Sequence, residues 1–184
     1  PYPSLYFTQP DTSTATGLRL DYSSEQFRGP DGDLAFDLGM INIADGVSPV
    51  TPILVNFGID IDDAFLSGSG HQAETVEPGA PIALIHSTTG AAIPVLTEMD
   101  QANRHLPEYD DRHPLIIRPL APMEPGARYI VVLSSALRDV EDRPLTSPAV
   151  FEALRDTIAT DDPVVEEMRD RFESNFSVIE ATGW

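Results

Sequence analysis

Two short acidic stretches carry residue types that could do chemistry: Asp60-Ile61-Asp62-Asp63 and Asp139-Val140-Glu141-Asp142. Carboxylates gathered in loops suit a hard cation such as calcium, which takes roughly six to eight oxygen ligands. The candidate metal ligands are therefore Asp60, Asp62 and Asp63, or Asp139, Glu141 and Asp142. Neither stretch has EF-hand spacing, and Asp also stands in loops simply to make turns. His105, Glu108, Asp110, Asp111 and His113 form the densest group of nitrogen and oxygen ligands. They lack the His-Glu-x-x-His spacing of zinc proteases, and two distant His in a proline-containing loop are more often surface residues. For nucleophilic catalysis the segment to weigh is Gly68-Ser69-Gly70-His71. The Gly-x-Ser-x-Gly elbow of the α/β-hydrolases is absent, and no apolar strand leads directly into Ser69. The segment reads as a flexible loop. A triad of Ser69 with a distant His stays open only because triads are spatial. Phosphate-loop and dinucleotide signatures are absent, so no catalytic or cofactor-binding residue is assigned.

Charge narrows the partners. The chain has 30 acidic residues against 11 basic ones, every base is Arg, and the formal charge is −19. Such a surface repels phosphates, which argues against nucleic acid and against anionic membranes. It favours solubility and suits a salty or calcium-bearing medium, although an ordinary acidic, solvated surface explains it better. With no Cys, disulfides and thiolate metal sites are excluded. No apolar run approaches the ~20 residues of a membrane span. The 184 residues, 41% hydrophobic, suffice for one domain with a real core and an appendage. Pro is 17 of 184, near twice the ~5% average, which suits loops and sheets better than helix bundles. The start, Pro1-Tyr2-Pro3 without Met or a basic region, reads as a piece of a longer protein.

These residues must be positioned by a series of short strands. Leu18, Leu20 and Tyr22 alternate with polar residues, as do Leu34, Phe36 and Leu38 after an Asp31-Gly32 turn. Ile53, Val55 and Phe57 share one face of a strand. Ile82-Ala83-Leu84-Ile85 is a buried strand, Thr88-Thr89-Gly90 turns the chain, and Ile93-Pro94-Val95 opens an edge strand. Residues 58–81 are loop-rich, and the pattern leaves Met99 to His105 undecided between strand and irregular chain. Residues 148–156 predict a short helix with Phe151 and Leu154 inward. The tail predicts a long helix capped by Asp161 or Asp162, with Pro163 at its first position and Gly183 at its end. Val165, Met168, Phe172, Phe176 and Ile179 form its apolar stripe, and Glu167 and Arg171 are spaced to pair.

Residues 114–145 organise this series. Leu115-Ile116-Ile117 and Tyr129-Ile130-Val131-Val132-Leu133 are short apolar runs bounded by Pro and Gly, which favours strands. Between them Pro125-Gly126 fits the centre of a type II turn. The order Met123-Glu124-Pro125-Gly126-Ala127-Arg128-Tyr129 resembles the corner of fibronectin-type and bacterial immunoglobulin-like domains. That resemblance makes Pro125, Gly126 and Tyr129 structural, with the Tyr129 hydroxyl bonded to backbone upstream. Residues 137–145 resemble the following hairpin. Asp142-Arg143 replaces the usual Gly-containing pair, so a longer loop is expected in place of a two-residue turn.

The run Asp45-Gly46-Val47-Ser48-Pro49, followed by a strand that ends in Phe57, resembles the N-terminal domain of bacterial secreted lipases and related α/β-hydrolase proteins. The resemblance implies a mostly β fold, an immunoglobulin-like β-sandwich with a C-terminal α-helix. Residues 1–16 are then an arm or linker, 17–147 the sandwich, and 148–184 a helical junction to a following domain. It implies a non-catalytic, secreted or envelope-anchored module that spaces or docks a downstream catalytic domain of the same chain. The alternative is a module that binds carbohydrate or protein through its end loops.

Overall fold

The computed structural model describes residues 1–24, 37–68, 70–102 and 113–184. The expected strand residues Leu34 and Phe36, the Asp31-Gly32 turn, Ser69, and His105, Glu108, Asp110 and Asp111 lie outside the described residues. The described strands are β1 (Thr8–Pro10), β2 (Leu18–Leu20), β3 (Ile53–Val55), β4 (Ile82–His86), β5 (Ala92–Ile93), β6 (Val95–Met99), β7 (Leu115–Pro119) and β8 (Tyr129–Leu133). Two α-helices follow, α1 (Ala149–Arg155) and α2 (Pro163–Thr182). All pairings are antiparallel, in three sheets of order β1-β2, β3-β7-β6 and β5-β4-β8. Among the described residues helix, at 26%, is as abundant as strand, at 22%, so the fold is mixed and a mostly β fold is not clearly supported. The extra helix comes from the tail and from several 3-10 turns.

The strands form where apolar residues alternate to bury one face or run on to bury both. In β3, Ile53 and Val55 are buried while Leu54 faces out. β4 is buried on both faces. Ile82 and Leu84 join Ile53, Val55, Val95, Met99, Leu115 and Ile117 in one core cluster, to which both three-stranded sheets contribute. Ala83 and Ile85 point the other way, where with Ile130 they meet Val178, Ile179 and Trp184 from the end of α2. Pro94 separates β5 from β6. It has no N–H to donate, so the chain leaves one sheet there and enters the other, while the Pro94 carbonyl accepts from Leu120 N at 2.9 Å. Leu38 does not extend a strand; it opens a 3-10 turn, Leu38–Met40, capped by Asp37.

Residues 1–16 are tied down along their length. Tyr2 and Leu54 exchange two backbone hydrogen bonds of 2.7 Å, and β1 pairs with β2. The rings of Tyr2, Phe7 and Tyr22 lie 5.5–6.0 Å apart, centre to centre.

Asp162 caps α2 by accepting from Val164 N, Pro163 takes the first turn, and Gly183 ends the helix at φ 79°. The Trp184 N–H then closes back on Ile179 O at 3.1 Å, as in a Schellman ending. α1 ends in the same way, with Thr157 at φ 54° and Ile158 N donating to Ala153 O. Leu154 is buried, whereas Phe151 is partly exposed and packs its ring against Phe172 and Phe176.

The ion pair seen within α2 is Glu166–Arg169 rather than the expected Glu167–Arg171. Arg169 also donates to Ala153 O and Ile158 O, and Thr160 donates to Glu166. The Arg169 hydrogen bond, then those from Thr160, hold the Glu166 carboxyl down to about 2 from 4.5. A lowered folded value stabilises above the ordinary value and is lost as pH falls through the folded one. The stability difference between the wild type and Glu166→Gln should therefore be full above pH 4.5 and shrink toward pH 2. Urea midpoints across that range check it, and a constant difference would count against the pair.

Candidate functional site

The two acidic stretches, far apart in sequence, lie side by side. Ile61 and Asp139 form an antiparallel bridge. Asp62 N donates to Arg138 O at 3.0 Å, and Val140 N donates to Asp60 O at 3.3 Å. Asp60, Ile61, Asp62, Asp63, Gln101 and Val140 line an open cleft of about 350 Å³ at this junction. His113 is buried beside it, with Nδ1 3.7 Å from Asp60 Oδ1.

Two of the carboxylates, Asp62 and Asp139, serve local backbone. Asp62 accepts from Ala64 N and caps the 3-10 turn Asp63–Phe65. Asp139 is 1% exposed. Its Oδ1 accepts from the Glu141 and Arg143 amides at 2.9 and 2.8 Å, and its Oδ2 accepts from Arg143 Nε at 2.7 Å. The Arg143 amide, with the Arg143 guanidinium and the Glu141 amide, holds the Asp139 carboxyl below its ordinary value against the desolvation that would raise it. Glu141 pairs with Arg143 Nη1 at 2.8 Å.

Asp142 takes φ 60°, and its N–H donates to Asp139 O. Asp139 N donates in turn to Arg143 O at 3.0 Å, beside an Arg138–Pro144 bridge. This is the bonding of a type I turn followed by a left-handed residue. It is a longer connection than a two-residue primed turn, and Asp tolerates the left-handed position better than most side chains do. Among the described residues no three His, Asp or Glu side chains gather where a metal ion could be held. Asp60, Asp62, Asp63, Asp139, Glu141 and Asp142 are thus brought together as a bridged pair of loops.

Of the Gly68-Ser69-Gly70-His71 segment, His71 is exposed and its Nδ1 lies 2.9 Å from Glu74 Oε1. The serine with a buried role is its neighbour Ser67. Ser67 Oγ donates to Val95 O at 3.0 Å and accepts from Thr97 N at 2.9 Å, and Ser67 N donates to Thr97 Oγ1 at 2.7 Å. Thr75 Oγ1 accepts from Val95 N at 3.0 Å. Two hydroxyls, Ser67 Oγ and Thr75 Oγ1, thereby take backbone groups on the open side of β6, and Thr97 Oγ1 holds Ser67 N in return. Sequence reasoning missed this seam, because isolated Ser and Thr in a Gly-rich loop carry no signal of their distant partners.

Tyr129 begins β8. Glu124 N donates to its hydroxyl at 3.0 Å, across a turn closed by Ala127 N to Glu124 O at 3.2 Å. Gly126 there has φ 75°, the value position i+2 of a type II turn requires. The His86 ring meets the Tyr129 ring edge-on at 5.2 Å. The donor residue is exposed, so water can replace the hydroxyl in part. Tyr129→Phe should lower stability by about 1 kcal/mol, read as a shifted urea midpoint with an unchanged slope. An unshifted midpoint would remove the hydroxyl from the account of this corner.

Comparison with protein-family models, curated proteins and solved structures finds no match to this chain.

Proposed function

We propose that the chain is a non-catalytic, immunoglobulin-like β-sandwich module that spaces or docks a hydrolase-like catalytic domain of the same protein, outside the cytoplasm. The observation that supports this best is the layer order. Two three-stranded antiparallel sheets feed one core, and α2 lies on the outer face of the second sheet. The Glu124–Tyr129 corner agrees with the immunoglobulin-like reading. Docking would use the helical pair, which is held to the sheet by Val178, Ile179 and Trp184 and leaves Val150, Ile158 and Val164 exposed.

The test compares this chain with the full-length product of its gene, by limited proteolysis and by turnover of short acyl esters. The expected result is no turnover by this chain, and in the full-length protein a second protease-resistant body that carries the activity. Turnover by this chain alone would overturn the reading.

Binding of carbohydrate is the second reading. Tyr2 and Tyr6 keep exposed ring surface beside Phe7, and such rings can stack on the apolar face of a sugar. Loss of oligosaccharide binding in Tyr6→Ala would favour it.

A further inference from the structure

The sheet edges are treated unequally. On β6 the outward backbone groups of Val95 and Thr97 are taken by Ser67, Gly68 and Thr75. On β3, Leu54 is paired by Tyr2. β5 is two residues long and runs into Pro94. β8 has β4 on one side and, among the described residues, no strand on the other.

The register says which groups are left open. Ser87 N donates to Arg128 O, and Ser134 N donates to Pro81 O. In an antiparallel pair, hydrogen-bonded and non-bonded positions alternate. Ile130 and Val132, opposite Ile85 and Ala83, therefore bond to β4. The N–H and C=O groups of Tyr129, Val131 and Leu133 point away from it. Nothing on this strand guards the edge: Tyr129-Ile130-Val131-Val132-Leu133 contains no charge, Pro or Gly, the usual devices against strand addition.

We propose that β8 pairs antiparallel with β8 of a second copy of this chain, joining two three-stranded sheets into one of six strands. The open groups are symmetric about Val131, so a two-fold axis there sets Val131 opposite Val131 and Tyr129 opposite Leu133. This is the self-complementarity that a closed, isologous contact needs. Tyr129, Val131 and Leu133 pack toward the main core and Val132 toward the α2 side, so both layers continue across the axis without a buried charge. Two bodies of charge −19 repel, and salt screens that repulsion. The contact therefore tightens as salt is raised, the reverse of an interface built on ion pairs.

Residue-resolved amide exchange and sedimentation, from micromolar to millimolar protein and from low to high salt, test this. In dilute solution the Tyr129, Val131 and Leu133 amides should exchange fast while those of Ile130 and Val132 are protected. At high concentration and salt the first three should become protected as the sedimentation coefficient rises to that of a dimer. Val131→Pro removes an outward N–H without touching the β4 ladder. It should abolish the concentration-dependent shift and leave Ile130 and Val132 protected. Leu133→Pro serves the same purpose should Val131→Pro fail to fold. A monomer under all conditions, outward amides already protected in the monomer, or a proline variant that dimerises like wild type would each overturn the proposal. So would protection that arises only on adding a different protein.

Discussion

Gly90→Ala should cost about 2–4 kcal/mol. Gly90 sits in the turn between β4 and β5 at φ 68°, and its N–H donates to His86 O at 2.8 Å. A Cβ there would stand 2.0 Å from Thr182 Cγ2 and 2.9 Å from Thr182 Cβ. Two penalties combine, the left-handed backbone and an overlap with the last turn of α2. Thr182 cannot simply rotate away without loss, because its hydroxyl donates to Val178 O at 2.6 Å. The helix end must lift instead, taking with it Ile179 and Trp184, which pack on Ala83, Ile85 and Ile130. Trp184 is the only Trp in the chain, so its emission should move to the red together with a lower urea midpoint. Gly90→Ala combined with Thr182→Ala should recover part of the loss, since the nearest clashing atom is then gone. An unchanged midpoint and emission in Gly90→Ala would mean that α2 does not rest on this turn.

Ser67→Ala should cost a similar amount, about 2–4 kcal/mol. The hydroxyl is buried and serves two β6 backbone groups, Thr97 N and Val95 O. Alanine leaves both without that partner in a place water does not reach, which is far costlier than losing an exposed hydrogen bond. Thr97→Val removes the acceptor for Ser67 N. The two substitutions should be strongly non-additive, because each breaks the same seam. A double-mutant cycle on urea midpoints measures this, and simple additivity would show that Ser67 and Thr97 act separately. Ser67→Ala should also bare the edge of β6, so faster aggregation is expected alongside the lower midpoint.

What the chain determines by itself is local. The strands at Ile82–His86, Leu115–Pro119 and Tyr129–Leu133 follow from apolar runs bounded by Pro and Gly. The α2 helix follows from its Asp162 cap, Pro163 and Gly183. These signals act within a few residues, so they survive without knowledge of the rest of the molecule. Other features were decided only by tertiary structure. Ile93 and Val95 look like one strand interrupted by Pro94, yet they belong to different sheets. The stretches beginning at Asp60 and Asp139 read as two separate cation loops, yet they meet across the Ile61–Asp139 bridge, where the Asp139 carboxylate is taken up by its own turn and by Arg143. Ser67 carries no signal at all, because its partners Val95 and Thr97 lie 28 and 30 residues further along the chain. A hydrogen-bonding side chain announces what it can do, but which group it satisfies depends on what packing brings within 3 Å, and that is set by the burial of residues distant in sequence.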